Sequence, residues 1–466
     1  MSSWLLRPRV LRGLLVAVAG VVILHLSLTL CAAWDLHRTT QDLIAHQRPV
    51  TPGQVIPVVR SQYNAALAYT RAMVLVSLDS DAIYSDQNSG TTSPTYRDII
   101  ESRYHVALAP PRGTTSIARR RSISDNVDPS TWPNATRADA WRVLNGGDFA
   151  RIRAALLAGA AQPACAFNLA WDQGLNCRLP MLEPLRDLVK LLCCHALLCQ
   201  LHGDDAAMRQ DFETGLAMAL HCRQIPFMIG FMVSTSMEAT VLESISIALS
   251  HAPLGDMGTV QHQLSTIDDW PQAARDLDTE RIVLGDYVFS PAHAPYYGGL
   301  AATPMRLFEH ATYARILGDA SNALAAHEPM PAFSVPRVTV LTRMLMPSLT
   351  SLDASVVRAA RTRCVALTAL ALEDWQRMHG SYPAHLSDMV PAQLASDVLD
   401  RIPFVQFAGT SASWSLTTSA AAMAGRPERP AEDLSSARPG VAPAPLYHWH
   451  SPAVAPAGGT QDHLGL

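Results

Sequence analysis

Charge is scarce in this chain. Asp, Glu, Lys and Arg make up 16 % of its 466 residues, against about a quarter in an ordinary globular protein. Lysine is almost absent: Lys190 is the only one. That removes most lysine-based catalysis from consideration. The net charge is only −4 and no basic domain stands out, so nucleic acid is not an expected partner. The common catalytic signatures are missing as well. There is no G-x-S-x-G, no H-E-x-x-H, no G-x-x-x-x-G-K and no G-x-G-x-x-G. Asp79, Asp81 and Asp86 lack the glycine and closing glutamate of a calcium loop. No cofactor is expected.

One apolar run is long. Gly13 to Ala33 is interrupted by a single ionisable group, His25. As a helix rising about 1.5 Å per residue it spans roughly 30 Å, the thickness of a bilayer core. Arg7, Arg9 and Arg12 precede it; Trp34 and Asp35 follow. The positive-inside rule then keeps residues 1–12 in the cytoplasm, puts 13–34 across the inner membrane and sends the remainder outside the cytoplasm. Membrane lipid is therefore an expected partner. A cleaved signal peptide is the rival reading, with Cys31-Ala32-Ala33 as a small-residue site. Against it, the run exceeds the ~7–15 apolar residues of such peptides.

Beyond the anchor, Pro49, Pro52 and Pro57 break the helix. Residues 35–345 predict a helical body, with a first helix over Val58–Leu78. Residues 84–133 are rich in Ser, Thr, Pro and Gly and predict an irregular excursion, with a short helix near Tyr96–Tyr104. Arg119, Arg120 and Arg121 read as solvated charge there. Apolar periodicity then predicts helices from Asn134 through Met378, one of them over Val335–Leu345. His202-Gly203-Asp204 is a stop and restart: glycine ends Leu182–Leu201 and aspartate caps Asp204–Cys222, giving an αα-hairpin.

After Gly380 the texture changes. Residues 346–423 predict a small α+β module, with strands at Phe404–Phe407 and Ser413–Thr417 around Ala408-Gly409-Thr410. Residues 424–466 are rich in Pro, Ala and Gly and are expected to be disordered and dispensable for stability. Leu446 to His450 is the one apolar island in that tail. The fold class expected is mainly α: a transmembrane helix, an αα-hairpin body, a small α+β end and a disordered tail.

Three groups of side chains could carry chemistry. His195, Cys199 and His202 share a helix face at i, i+4 and i+7, with Cys193, Cys194, His221 and Cys222 near by, a set able to hold zinc or copper. Buried thiols on a helix apolar nearly all round are the simpler reading, and no bound metal is expected. Glu238, Glu243, Glu280, Glu309 and Glu373 lie in apolar helices. They could do acid–base work, or pair with Arg275, Arg281, Arg306 or Arg377 as structural ions. Cys165 and Cys177 flank a polar loop and are the expected disulfide in an oxidising compartment.

Two stretches resemble known modules. A long Ala/Leu helix with Trp375, then His379-Gly380, Tyr382-Pro383, Leu386 and Val390-Pro391, resembles the C-terminal part of pseudopilin-like modules. The resemblance implies that Tyr382 and Pro383 turn the chain from the helix toward a small sheet. Cys165-Ala166-Phe167, Gly174, Pro180, a Leu-rich helix and Gly203-Asp204 resemble a family of bacterial single-pass membrane proteins that also end in this module. It covers about Arg137 to Pro391 and implies a shared helical fold, with no activity attached. The expected role is an envelope scaffold or assembly protein with protein partners. The alternative is an extracytoplasmic hydrolase built on the buried carboxylates or the His/Cys cluster.

Overall fold

The computed structural model describes residues 8–84, 128–290, 302–333, 349–403, 405–418 and 447–451, with a few positions between 335 and 343. The Tyr96–Tyr104 helix, Arg119 to Arg121 and most of Val335–Leu345 lie outside the described residues. The chain is mainly α with one small sheet.

Helix α1 (Pro8–Ala45) runs for 38 residues without a break. From Leu14 to Leu30 its large apolar side chains are half or more exposed. It is the one described helix long and apolar enough to cross a membrane. From Ala32 onward the same helix turns Ala32, Thr39 and Leu43 inward, so it continues as part of the body. After α2 (Pro52–Val55) the chain passes through a single 3-10 turn at Ser61–Tyr63, and α3 (Ala66–Tyr84) starts later than the periodicity suggests. The reason is Asn64, which bridges to Ala164 and accepts from Ala66 N at 3.0 Å, capping the helix there.

Helices α4 (Asn134–Leu144) and α5 (Gly147–Ala160) lead to the hairpin of α6 (Leu182–Leu201) and α7 (Asp205–Arg223). Gly203 takes φ +76°, and Asp204 accepts from Ala207 N at 3.0 Å, so the hairpin turns where glycine and aspartate direct it. Helix α8 (Met228–His251) folds back against both. After α9 (Gly258–Ser265), α10 (Asp269–Thr279) passes through a π-helical turn at Glu280–Leu284 into α11 (Gly285–Phe289). Helix α12 (Thr303–Ala325) returns antiparallel beside it, and α13 (Leu349–His379) crosses both α8 and α10.

Two apolar cores result. The larger joins α3 to α9, the second half of α13 and the sheet. The smaller gathers Met228 and Phe231 of α8 with α10, α11, α12 and the start of α13. Helices α8 and α13 each pass from one core into the other.

The sheet corrects one expectation. Strands β1 (Gln406–Gly409) and β2 (Trp414–Thr418) form a hairpin as expected, though β1 takes in Ala408 and Gly409 of the expected turn; a third strand, β3 (Tyr447–His450), pairs antiparallel with β2. The described part of the tail is therefore ordered. Trp449 lies opposite Leu416, is 4 % exposed and belongs to the larger core. Ser451 clamps the strand by a reciprocal pair: Trp414 N donates to its Oγ and its N donates to Trp414 O, both at 3.1 Å. Alternating polarity over a few residues was too short a signal against the Pro-rich sequence before it. Removing residues after Ala424, or Trp449→Ala alone, should cost about 3–5 kcal/mol, the range for a buried aromatic. Denaturation of the purified full chain measures it; unchanged stability would show that β3 holds nothing.

Candidate functional site

Three clusters of buried polar groups stand out among the described residues. In the first, α6 and α7 bring His195 and Cys199 against Asp211, with ligand atoms within 4.8 Å of one another. His195 Nδ1 donates to Asp211 Oδ2, and Arg153 Nε donates to Asp211 Oδ1 at 2.6 Å. Asp211 was not among the residues expected from the sequence. The signal was there: His195 precedes Gly203 by as many residues as Asp211 follows it, so the antiparallel hairpin sets them side by side. His202 is not part of the cluster. It is exposed and stacks on Trp141, ring centroids 4.0 Å apart.

This geometry suits a structural hydrogen-bond chain better than a metal centre. Cys199 Sγ lies 3.7 Å from both Nδ1 and Nε2 of His195, so it sits off the in-plane direction of either nitrogen. Burial pushes the Cys199 thiol up to about 12, where the ligating thiolate is costly. Asp211 is already held by a guanidinium and an imidazole. The same equidistance argues against a nucleophilic Cys–His–Asp relay. Cys193, Cys194 and Cys222 are likewise pushed up to about 12 by burial and read as core thiols.

His221 is engaged elsewhere. Its Nε2 faces Gln162 O at 3.0 Å and its Nδ1 faces Tyr69 OH at 2.7 Å. A carbonyl only accepts, so Nε2 carries the proton and Tyr69 donates to Nδ1. Burial lowers the imidazole's pKa, in keeping with that neutral form. Cys165 and Cys177, the expected disulfide pair, carry free thiols. Cys165 is drawn inside because its own N donates to Gln224 and its neighbours Ala164 and Ala166 bond to the Asn64–Ala65 segment. The turn before Cys177 is fixed differently, by Gly174 packing against Tyr287.

The second cluster is fully ionic. Arg223, Glu238, Asp269 and Arg363 come from the end of α7, the middle of α8, the start of α10 and the middle of α13, and each is at most 5 % exposed. Arg223 Nη2 donates to Glu238 Oε2 at 2.7 Å; Arg363 Nε donates to Oε1 at 2.9 Å and its Nη2 to Asp269 Oδ2 at 3.0 Å. Arg223 Nη1 and Asp269 Oδ1 face each other at 2.9 Å as an ion pair without hydrogen-bond alignment. Burial alone would raise the Glu238 carboxyl, but the two guanidiniums outweigh it and hold the group below its usual range. Glu238 thus pairs with arginines other than those expected. Among the other glutamates, Glu243 is exposed and Glu309 buried. Glu373 accepts from Tyr382 OH at 2.9 Å and Trp414 Nε1 at 3.0 Å, tying α13 to the turn and the sheet.

The third cluster lies at the π turn, a feature frequent at functional sites. Glu280 Oε1 accepts from Met228 N, the start of α8, at 3.0 Å. Burial raises this carboxyl to about 7. Asp276, one turn earlier, is raised well above its ordinary value by the same cause, and Gln272 donates to it at 2.8 Å. A carboxyl near neutrality can hold or release a proton at working pH.

No family model matches the chain, and no curated protein and no solved structure is similar to it. The chemistry must therefore be read from these three clusters.

Two outcomes are expected. Glu238→Ala leaves two buried guanidiniums facing Asp269 alone and should cost about 3–5 kcal/mol in denaturation. A loss below about 1 kcal/mol, the scale of an exposed pair, would show that the network is not a structural lock. The second concerns pH. Folded, Glu280 keeps its proton to about pH 7, while unfolded it releases near 4.5. Folding takes up a proton between those values, so this group's contribution is greatest below the lower one and is lost as pH rises through about 7. Glu280→Gln should gain on the order of 3 kcal/mol on the parent between acid and mildly alkaline pH. Parallel stability–pH curves for the two would contradict the assignment.

Proposed function

We propose that the chain is a membrane-anchored scaffold or assembly protein of the bacterial envelope, with its body outside the cytoplasm and protein partners there. The observation that carries this reading is the mounting of the body. Helix α1 packs along α12 from the last part of the apolar run onward. Arg48, just past its end, donates to Asn322 Oδ1 at 2.8 Å and to Ser321 O at 2.6 Å, and pairs with Asp278 at 3.3 Å. Arg281 adds a bond to Pro49 O. A body held this way presents its surface at a set height and orientation, which suits holding partners in register. The His195 and Arg223 clusters are neutralised internally, which fits structural roles.

The alternative hydrolase rests on Glu280, whose raised pKa and π turn are the features an acid–base group would need. Photo-crosslinking separates the two readings. A photoreactive amino acid placed at exposed body positions in intact cells should give discrete adducts with envelope proteins from one face. A reporter active only outside the cytoplasm, fused after Thr418, should be active. Absence of adducts, together with hydrolysis of ester, amide or glycoside substrates abolished by Glu280→Gln, would replace the scaffold with the enzyme.

A further inference from the structure

Helices α1 and α12 run parallel, and this has a geometric consequence at the membrane. Asp35 pairs with Arg315 at 3.5 Å, while Arg48, further along α1, reaches Ser321 and Asn322, further along α12. The closest approach fixes the register. A Cβ built on Gly318 would lie 2.5 Å from Leu43 Cδ2, so these two residues sit side by side. Counting back equally along both helices from that contact sets Phe308 beside Ala33, Met305 beside Leu30 and Thr303 beside Leu28. These α1 positions belong to the apolar run. The start of α12 thus extends about 10 Å below the level of Asp35, at about 1.5 Å per residue.

The neighbouring helix agrees with this placement. Helix α10 descends antiparallel to α12: Ser321 Oγ donates to Ala274 O at 2.9 Å, Tyr313 OH to Glu280 O at 3.4 Å, and Phe289 stacks on His310 at 5.0 Å. The two therefore form an antiparallel pair whose ends at Phe289 and Thr303 lie on the bilayer side along α1. Near that end α12 carries Met305, 42 % exposed, and the half-buried Leu307 and Phe308.

We propose that the start of α12 is seated in the bilayer leaflet on the body's side, with Met305, Leu307 and Phe308 among lipid acyl chains. The occupant of this apolar surface is lipid, because the surface is continuous with the face of α1 that lipid already covers. The depth matches that of interfacial helices, whose apolar faces enter about 5–10 Å. Arg306, level with Cys31, has its Nε buried in the body. The inference rests on α1 crossing the membrane, as the proposed function does, but not on which side the body occupies or on what it binds.

Site-directed spin labelling of the full chain in phosphatidylcholine vesicles tests it. Cys31→Ser and Cys177→Ser remove the exposed and half-buried thiols. A label is then placed at Met305→Cys, at Val21→Cys in the anchor and at Gly53→Cys on exposed α2. The ratio of accessibility to oxygen over a water-soluble nickel complex should be several-fold higher at Met305 and Val21 than at Gly53. A Met305 ratio equal to that of Gly53, with Val21 still in lipid, overturns this proposal and leaves the anchor standing. Water-like ratios at both Met305 and Val21 overturn the anchor as well.

Discussion

The junction between the two cores is held by four buried charges. Arg223, Glu238, Asp269 and Arg363 sum to zero and stand where α8 and α13 pass from one core to the other. Apolar contacts are non-directional and would let these long helices slide or rotate against their neighbours. Fork-shaped guanidiniums bridging two carboxylates admit few arrangements. Burying such a set carries a large desolvation cost, so its yield is definition of geometry more than stability. Ser234 extends it, accepting from Arg223 at 3.1 Å and donating to Ala219 O at 2.9 Å. Four helices from distant parts of the sequence meet at one set of coordinates because of it.

The mount to the membrane follows from that definition. Helix α10 begins at the charged junction with Asp269 and ends beside α12, and α12 is the helix that α1 packs on. The anchor, the α10–α12 pair and the junction therefore form one mechanical series. A change in the tilt of α1 would reach Arg363 through packed helices and ion pairs, with no linker in between.

What was legible in the sequence was local. Helix α1, the Gly203 turn, the Asp204 cap and the β1–β2 hairpin each depend on residues close in the chain, and those are where periodicity and turn chemistry speak. Glu238 was visible as a buried carboxylate, but its partners Arg223 and Arg363 come from two other helices, and only tertiary packing selects them over nearer arginines. His195 and Cys199 were visible together with His202, which the structure leaves outside the cluster; the actual third member, Asp211, needed the hairpin's symmetry about Gly203. Strand β3 failed to register because a strand of four residues inside a Pro- and Ala-rich stretch has no periodicity of its own; its partner β2 supplies the order. The expected disulfide illustrates the same limit. Spacing put Cys165 and Cys177 across a loop, but Asn64, a hundred residues upstream of its contact at Ala166, decides where Cys165 goes.

Strand β3 also fixes an order of events during synthesis. The β1–β2 hairpin and the body helices emerge well before Tyr447, so they can fold while the remaining chain is still being made. Until β3 arrives, the backbone N–H and C=O groups along the outer edge of β2 are unpaired, and Leu416 and Trp414 lack their cover. An open strand edge next to exposed tryptophan invites pairing with another chain. The nascent protein therefore passes through an interval of association hazard that closes only when Tyr447–His450 zips onto β2.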